Sequence, residues 1–142
     1  MQMVGLEGTC IILELILQLC QHYFPFLFPV TDEILSSLQF VFQGPLLPAL
    51  DLVDRKAVSI ITSPSGRSLY QVMGSSGTPY TCFTSSTYCS CPSYRFSVLL
   101  KEVNMMCKHR LAILLSKRMG LIRTASATDQ ELSSMIVQMD FS

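Results

Sequence analysis

Two short pairs of residues hold the chemistry of this chain. Cys89 and Cys91 are separated by one residue, Cys107 and His109 by one residue, and fifteen residues lie between the pairs. Three thiolates and one imidazole form a complete tetrahedral set for a zinc ion. Thiolate is soft and anionic, neutral imidazole is borderline, and zinc imposes no geometry that short loops cannot meet. Four protein ligands close the coordination sphere and leave no position for water. That points to one structural Zn²⁺ rather than a catalytic one. The alternative is four buried or redox-active residues that fall near one another, which would not call for two tight pairs at fixed spacing.

Little else in the chain can support catalysis. His22 is the one other histidine, and there is neither a Gly-x-Ser-x-Gly elbow nor a Gly-Lys-Ser/Thr phosphate loop. Ser63 and Ser65 sit in a Pro-Ser-Gly turn and read as turn formers. A cysteine nucleophile needs a base, and the nearby candidate, His109, is committed to the metal. Cys20-Gln-His22 repeats the C-x-H pattern inside a helical run, where its two side chains point about 200° apart. It is assigned no ligand role. Cys82 is the leading spare ligand, but its place seven residues before Cys89 breaks the motif, and in its strand-like run it reads as a buried strand residue instead. The expectation is a protein that is not an enzyme and has no small-molecule substrate.

The 142 residues suffice for one small domain, or one domain with a helical extension. Hydrophobic residues make up 49% and charged residues 14%, with a mean hydropathy of +0.42. That is more apolar material than a chain of this size buries alone, so part of the surface is expected to face a partner. The net charge of zero conceals a segregation. All ten basic residues lie between Arg55 and Arg123, where Glu102 is the one acid, so this stretch carries +9. Residues 1–54 hold six acids and residues 124–142 hold three, with no base in either. Three regions follow: an apolar, acidic, helical region over 1–54, a basic zinc-bearing body over 55–123, and an acidic helix over 124–142. A cationic body favours an anionic partner, single-stranded DNA among the candidates. The cysteines show no even, secreted-type framework and no basic n-region precedes them, which indicates a reducing compartment.

The elements that must position the ligands can be read from periodicity. Residues 10–24 are apolar almost all round, with Thr9 as a cap, and predict a helix too short for the ~20 residues that span a bilayer. A membrane span is therefore not expected. Thr31-Asp-Glu33 opens a second helix with Ile34, Leu35, Leu38, Val41 and Phe42 on its apolar face, stopped by Gly44 and Pro45. A helical turn is expected over 49–54. The period then becomes two, predicting strands over 57–62, 69–73 and 80–84 joined by Pro64-Ser-Gly66 and Gly74-Ser-Ser-Gly77. This antiparallel meander delivers the chain to Cys89. Pro92 starts a helical stretch to about residue 100, and Cys107 and His109 stand at the entrance of a helix that Gly120 ends. Thr128-Asp-Gln-Glu131 is a capping box ahead of Leu132, Met135, Ile136 and Met139, one stripe on a terminal helix. The fold class is α+β: a small zinc-clamped domain with a three-stranded meander, a C-x-C knuckle and flanking helices.

The spacing resembles the SWIM-type zinc finger, C-x-C-x(n)-C-x-H, a superfamily that also includes transposases and ATPases. The text around it narrows the resemblance. ALDLVDR (49–55), TSPSGR (62–67), YQVMGSS (70–76) and CKH (107–109) are similar to the SWIM-subunit family of the Shu complex in homologous recombination, over about residues 31–142. The resemblance places the zinc ligands at Cys89, Cys91, Cys107 and His109. It implies a nuclear, non-enzymatic accessory that pairs with a RecA-like partner. Such a protein supports recombinase filaments at double-strand breaks and in meiosis. The alternative is the zinc-binding DNA-contact module of a transposase-like enzyme, against which the absence of an acidic catalytic triad in the basic half speaks. Arg95, Lys101, Lys108, Arg110, Lys117 and Arg118 are the candidate phosphate contacts, with Tyr88, Tyr94 and Phe96 as candidate stacking partners. The stripe of Leu132, Met135, Ile136 and Met139 is the candidate partner-binding surface, although such stripes more often pack on their own core.

Overall fold

Asp32 and Glu33 suit the positive end of a helix dipole, and α1 (Asp32–Phe42) starts on them. A computed structural model describes residues 32–86, 88–101 and 106–139, so the helix expected over 10–24, with Cys10, Cys20 and His22, lies outside the described residues. Leu38 and Phe42 are buried, and Gln43, in the left-handed region at φ 52°, turns the chain before Gly44 is reached. Pro45 then leads into α2 (Leu46–Asp54), three residues longer at its start than the turn expected over 49–54. Pro48 is tolerated there because the first turn of a helix has no carbonyl to receive its missing N–H. Leu46, Ala49, Leu52 and Val53 are the buried stripe of α2.

The three expected strands form: β1 (Val58–Thr62), β2 (Ser68–Met73) and β3 (Pro79–Phe83), antiparallel and in the register Ile60↔Tyr70↔Cys82. A segment of wide helical turn follows over Tyr94–Leu100, closed by the bond from Lys101 N–H back to the Phe96 carbonyl at 3.0 Å. α3 (Lys108–Met119) ends on Gly120 at φ 69°, the left-handed cap that only glycine adopts without strain. The meander is not the whole sheet. β4 (Arg123–Ser126) adds to β1 in parallel, giving the order β3-β2-β1-β4 with Ser59 beside Arg123. α4 (Asp129–Met139) closes the described chain.

Strand alternation divides the interior into two unequal parts. Val58, Ile60, Tyr70, Val72, Tyr80 and Cys82 join a large cluster with α1, α2 and α3. The alternate positions Ile61, Leu69 and Phe83 point to the other face, where they pack against α4 through Leu132, Met135 and Ile136. Helices and metal ligands thus cover one face of the sheet, and α4 covers the other. Among the described residues, no helix is long and apolar enough to cross a membrane.

Candidate metal centre

The sequence builds the centre from two backbone corners. β3 carries Cys82 opposite Cys89, an isolated antiparallel bridge that continues the sheet by one residue pair into the C-x-C segment. Ser90 fixes the corner: its hydroxyl receives the Thr81 N–H at 3.0 Å, and its own N–H donates to the Thr81 carbonyl at 3.0 Å. Cys91 then precedes Pro92, and the Tyr94 N–H turns back to donate to Cys91 Sγ at 3.2 Å. The second corner is the start of α3. Cys107 is its extended N-cap residue, with Sγ accepting the Arg110 N–H at 3.4 Å, and His109 occupies the first turn.

Both thiols therefore accept a backbone amide in the place where a helix start ordinarily uses Ser, Thr or Asp. Such amides favour the thiolate over the thiol. The four ligand atoms of Cys89, Cys91, Cys107 and His109 lie within 4.8 Å of one another, and all four residues are buried. Sulfurs about 2.3 Å from a tetrahedral zinc stand roughly 3.8 Å apart, so the cluster is close to the size the ion requires.

Two further observations test the fit. His109 Nδ1 and Nε2 are both buried without a hydrogen-bond partner, and the one other such side-chain atom among the described residues is Ser116 Oγ. A buried imidazole with neither nitrogen satisfied costs free energy unless a ligand takes one of them. Proton sharing among the thiols gives the same reading. Cys107 is pushed far above an ordinary thiol by hydrogen bonding to Cys89 and Cys91, then by burial. Cys91 is held far below by the hydrogen bonds it accepts from Cys107 and then Cys89. Without a cation these three sulfurs cannot all shed their protons in so small a buried space. A dication reverses that preference and takes all three as thiolates. The residues fit one structural zinc ion, and no ligand position is left for water or substrate.

Around the ligands the structure adds what periodicity did not reveal. The Tyr80 ring lies on the His109 imidazole, with centroids 4.3 Å apart, and so fixes the ring plane from the sheet side. The signal available was only that Tyr80 and Cys82 share a strand face. Arg110 donates from Nη1 to the Phe83 carbonyl at 3.0 Å and ties the start of α3 to the end of β3. Cys82 is fully buried beside Cys89 and lies outside the four-residue ligand set, as its strand position suggested.

The other candidate residues differ in exposure. Arg95, Lys101 and Lys117 are exposed, while Lys108, Arg110 and Arg118 are half-buried. Lys101 Nζ stands 5.7 Å from the centroid of the Phe96 ring, and Phe96 is 58% exposed. Tyr94 is buried, and Tyr88 packs on it edge-on at 5.5 Å, so Phe96 is the aromatic left facing solvent in this group. Leu132 is 1% exposed and sits against Ile61 and Leu69, with Met135 and Ile136 packed on the same cluster. In this single chain those three residues of the stripe are core contacts. Met139 ends α4.

Curated relatives match most of the chain. Zinc finger SWIM domain-containing protein 7 of Mus musculus is 49% identical over 109 residues, 77% of this chain and 72% of that protein. The Homo sapiens protein of the same name is 47% identical over 108 residues, 76% of this chain and 77% of its own length. A homolog in Dictyostelium discoideum is 33% identical over 112 residues, covering 78% of this chain and 72% of the relative. No model of a protein family matches the chain, and no solved structure does.

Proposed function

Because the chain belongs to the zinc finger SWIM domain-containing protein 7 family, we propose that it is a non-enzymatic, nuclear accessory of homologous recombination. It pairs with a RecA-like partner in a Shu-type complex and supports recombinase filaments at double-strand breaks and in meiosis. One observation carries the choice of a binding module over an enzyme: the metal ligands are four, buried and all protein-derived. Such an ion folds a surface and leaves catalysis to something else. The recombination role is supported by the stretches around the finger, ALDLVDR, TSPSGR and YQVMGSS, which resemble the SWIM subunit of that complex. The basic body supports a contact with single-stranded DNA, made through phosphates by Arg95, Lys101 and Lys117, with exposed Phe96 as a stacking surface.

Cells lacking the chain test this directly. Recombinase foci after induced double-strand breaks should fall several-fold, and wild-type chain should restore them while Cys107→Ala does not. Unchanged foci would remove the recombination role. ATPase or nuclease turnover by the purified chain, abolished by a point substitution, would favour the transposase-like alternative.

A further inference from the structure

Three cations gather at the start of β1, on the side of the sheet away from the zinc ligands. Arg55 and Lys56 follow the last turn of α2, and Arg123 is the first residue of β4. Arg123 lies 67 or 68 positions beyond the other two, and the three meet because β4 pairs with β1 in parallel, with Arg123 beside Ser59. Together with Ser59 they line an open pocket of about 340 Å³ that contains no acidic residue. Ser59 and Met73, by strand alternation, belong to the face that α4 covers farther along, but no residue of α4 reaches this pocket.

Only one of these three cations is paired with an acid among the described residues. Arg55 is bound to Asp51 at 2.6 Å and to the Ser75 hydroxyl at 3.2 Å. Lys56 and Arg123 have no ion-pair partner among the described residues. The C-terminal end of α2 accounts for cations at 55 and 56, since a helix C-terminus attracts positive charge. It does not account for Arg123, which arrives from an edge strand and adds a third positive charge to the two already present. Lys56 takes φ 52° as the left-handed residue that ends α2, its N–H donating to the Val53 carbonyl and the Ala57 N–H to the Leu52 carbonyl, so its backbone belongs to the helix cap and its charge alone bears on the pocket.

We propose that this pocket is a phosphate subsite that receives a backbone phosphate of a nucleic-acid strand. The inference rests on the nucleic-acid contact proposed above, but none of its cations is among those assigned there from the sequence. Lys56 and Arg123 supply the uncompensated charge. Ser59 supplies a hydroxyl donor, and paired Arg55 fixes the rim. The pocket is open to solvent, which suits a polyanion passing through rather than an enclosed small ligand.

The test uses the full, zinc-loaded chain in two arms. In the first, pyrophosphate is titrated while amide resonances are followed. Shifts should concentrate at 55–59 and 123 and vanish in a Lys56→Gln/Arg123→Gln variant of unchanged zinc content, whereas Arg67→Gln, equal in kind of charge removed but outside the pocket, should keep them. In the second, single-stranded oligonucleotide affinity is measured across salt. The double variant should flatten the slope of log affinity against log salt by roughly 1.4, about 0.7 for each lost phosphate contact. Shifts that survive in the double variant, or that Arg67→Gln removes equally, overturn the subsite. Loss of pyrophosphate binding with an unaltered oligonucleotide slope overturns the nucleic-acid assignment and points to a phosphorylated protein. If no variant or wild-type chain binds oligonucleotide at all, the parent reading of DNA contact fails, while the first arm still decides whether the pocket holds phosphate.

Discussion

The two faces of the sheet begin their helices in different ways. On one face α3 starts at Cys107, whose sulfur accepts the Arg110 N–H and is also a metal ligand. On the other, α4 starts with a reciprocal box: Glu131 N–H donates to Thr128 Oγ1 at 3.1 Å, and Glu131 Oε2 accepts the Thr128 N–H at 2.7 Å. Ser65 N–H then donates to Asp129 Oδ1 at 3.2 Å and fastens the same helix start to the β1–β2 turn. The first cap is only as good as the ion that keeps its sulfur a thiolate. The second needs no ligand. Local order on the zinc face is therefore conditional, and on the α4 face it is intrinsic.

Removing a metal ligand should have the largest effect, because the conditional face holds most of the core. Zinc binding in small fingers contributes about 10–16 kcal/mol near neutral pH, against the roughly 5–15 kcal/mol of net stability of a domain. Cys107→Ala or His109→Ala should leave the chain unfolded or degraded, whereas wild type should carry one zinc per chain by metal analysis. A well-folded wild type with substantially less than one equivalent would break the comparison.

Acid should then resolve the faces in order. Protons compete with zinc for thiolate and imidazole, so the metal leaves on mild acidification. Glu131 is held below the ordinary 4.5 by the Thr128 N–H and then the Thr128 hydroxyl, and Asp129 below 3.8 by Ser65 and then Ser63. A depressed carboxylate contributes stability that is present above its unfolded pKa and is lost as pH falls through the folded value. Zinc release, followed with a chromogenic chelator, should precede protonation of Glu131 seen by carboxyl NMR. Coincident transitions would show that the faces are one unit.

Smaller effects sharpen the same contrast. Leu132→Ala empties a buried position against Ile61 and Leu69 and should cost about 2–5 kcal/mol in denaturant melts while zinc content is kept. Thr128→Ala should cost about 1 kcal/mol. Zinc loss in either variant would mean that the α4 face supports the metal after all.

Much of this was legible in the chain because the responsible physics is local. Three thiols and an imidazole in two tight pairs, the Thr128–Glu131 box, Gly120 as a left-handed stop and the period-two runs of β1 to β3 each carry their meaning within a few residues. What remained hidden was non-local. Arg-Thr-Ala-Ser over β4 shows no alternation and stays exposed at all four positions, so its strand conformation comes from pairing with β1 and not from its own composition. The α4 stripe posed the converse problem. Its spacing is the same whether Leu132 meets a partner or a sheet, and only the tertiary arrangement shows it against Ile61 and Leu69. The Tyr80 ring on His109 and the meeting of Arg55, Lys56 and Arg123 also depend on strands brought together from afar.

The parallel pairing of β1 with β4 also has a kinetic side. Ser59 must wait for Arg123, and every metal ligand is synthesised in the interval between them. Closing so long a loop is slow, and the entropy it costs grows with the logarithm of the free chain length. Coordination joins Cys89 to His109 and removes the intervening residues from that free length, so the ion shortens the search that ends in the last strand. Zinc supplied at the start of refolding should then speed the recovery of the complete sheet. Added only after the polypeptide has collapsed, the same ion should restore the sheet more slowly, so the moment of its arrival sets the pace of folding as its binding sets the stability.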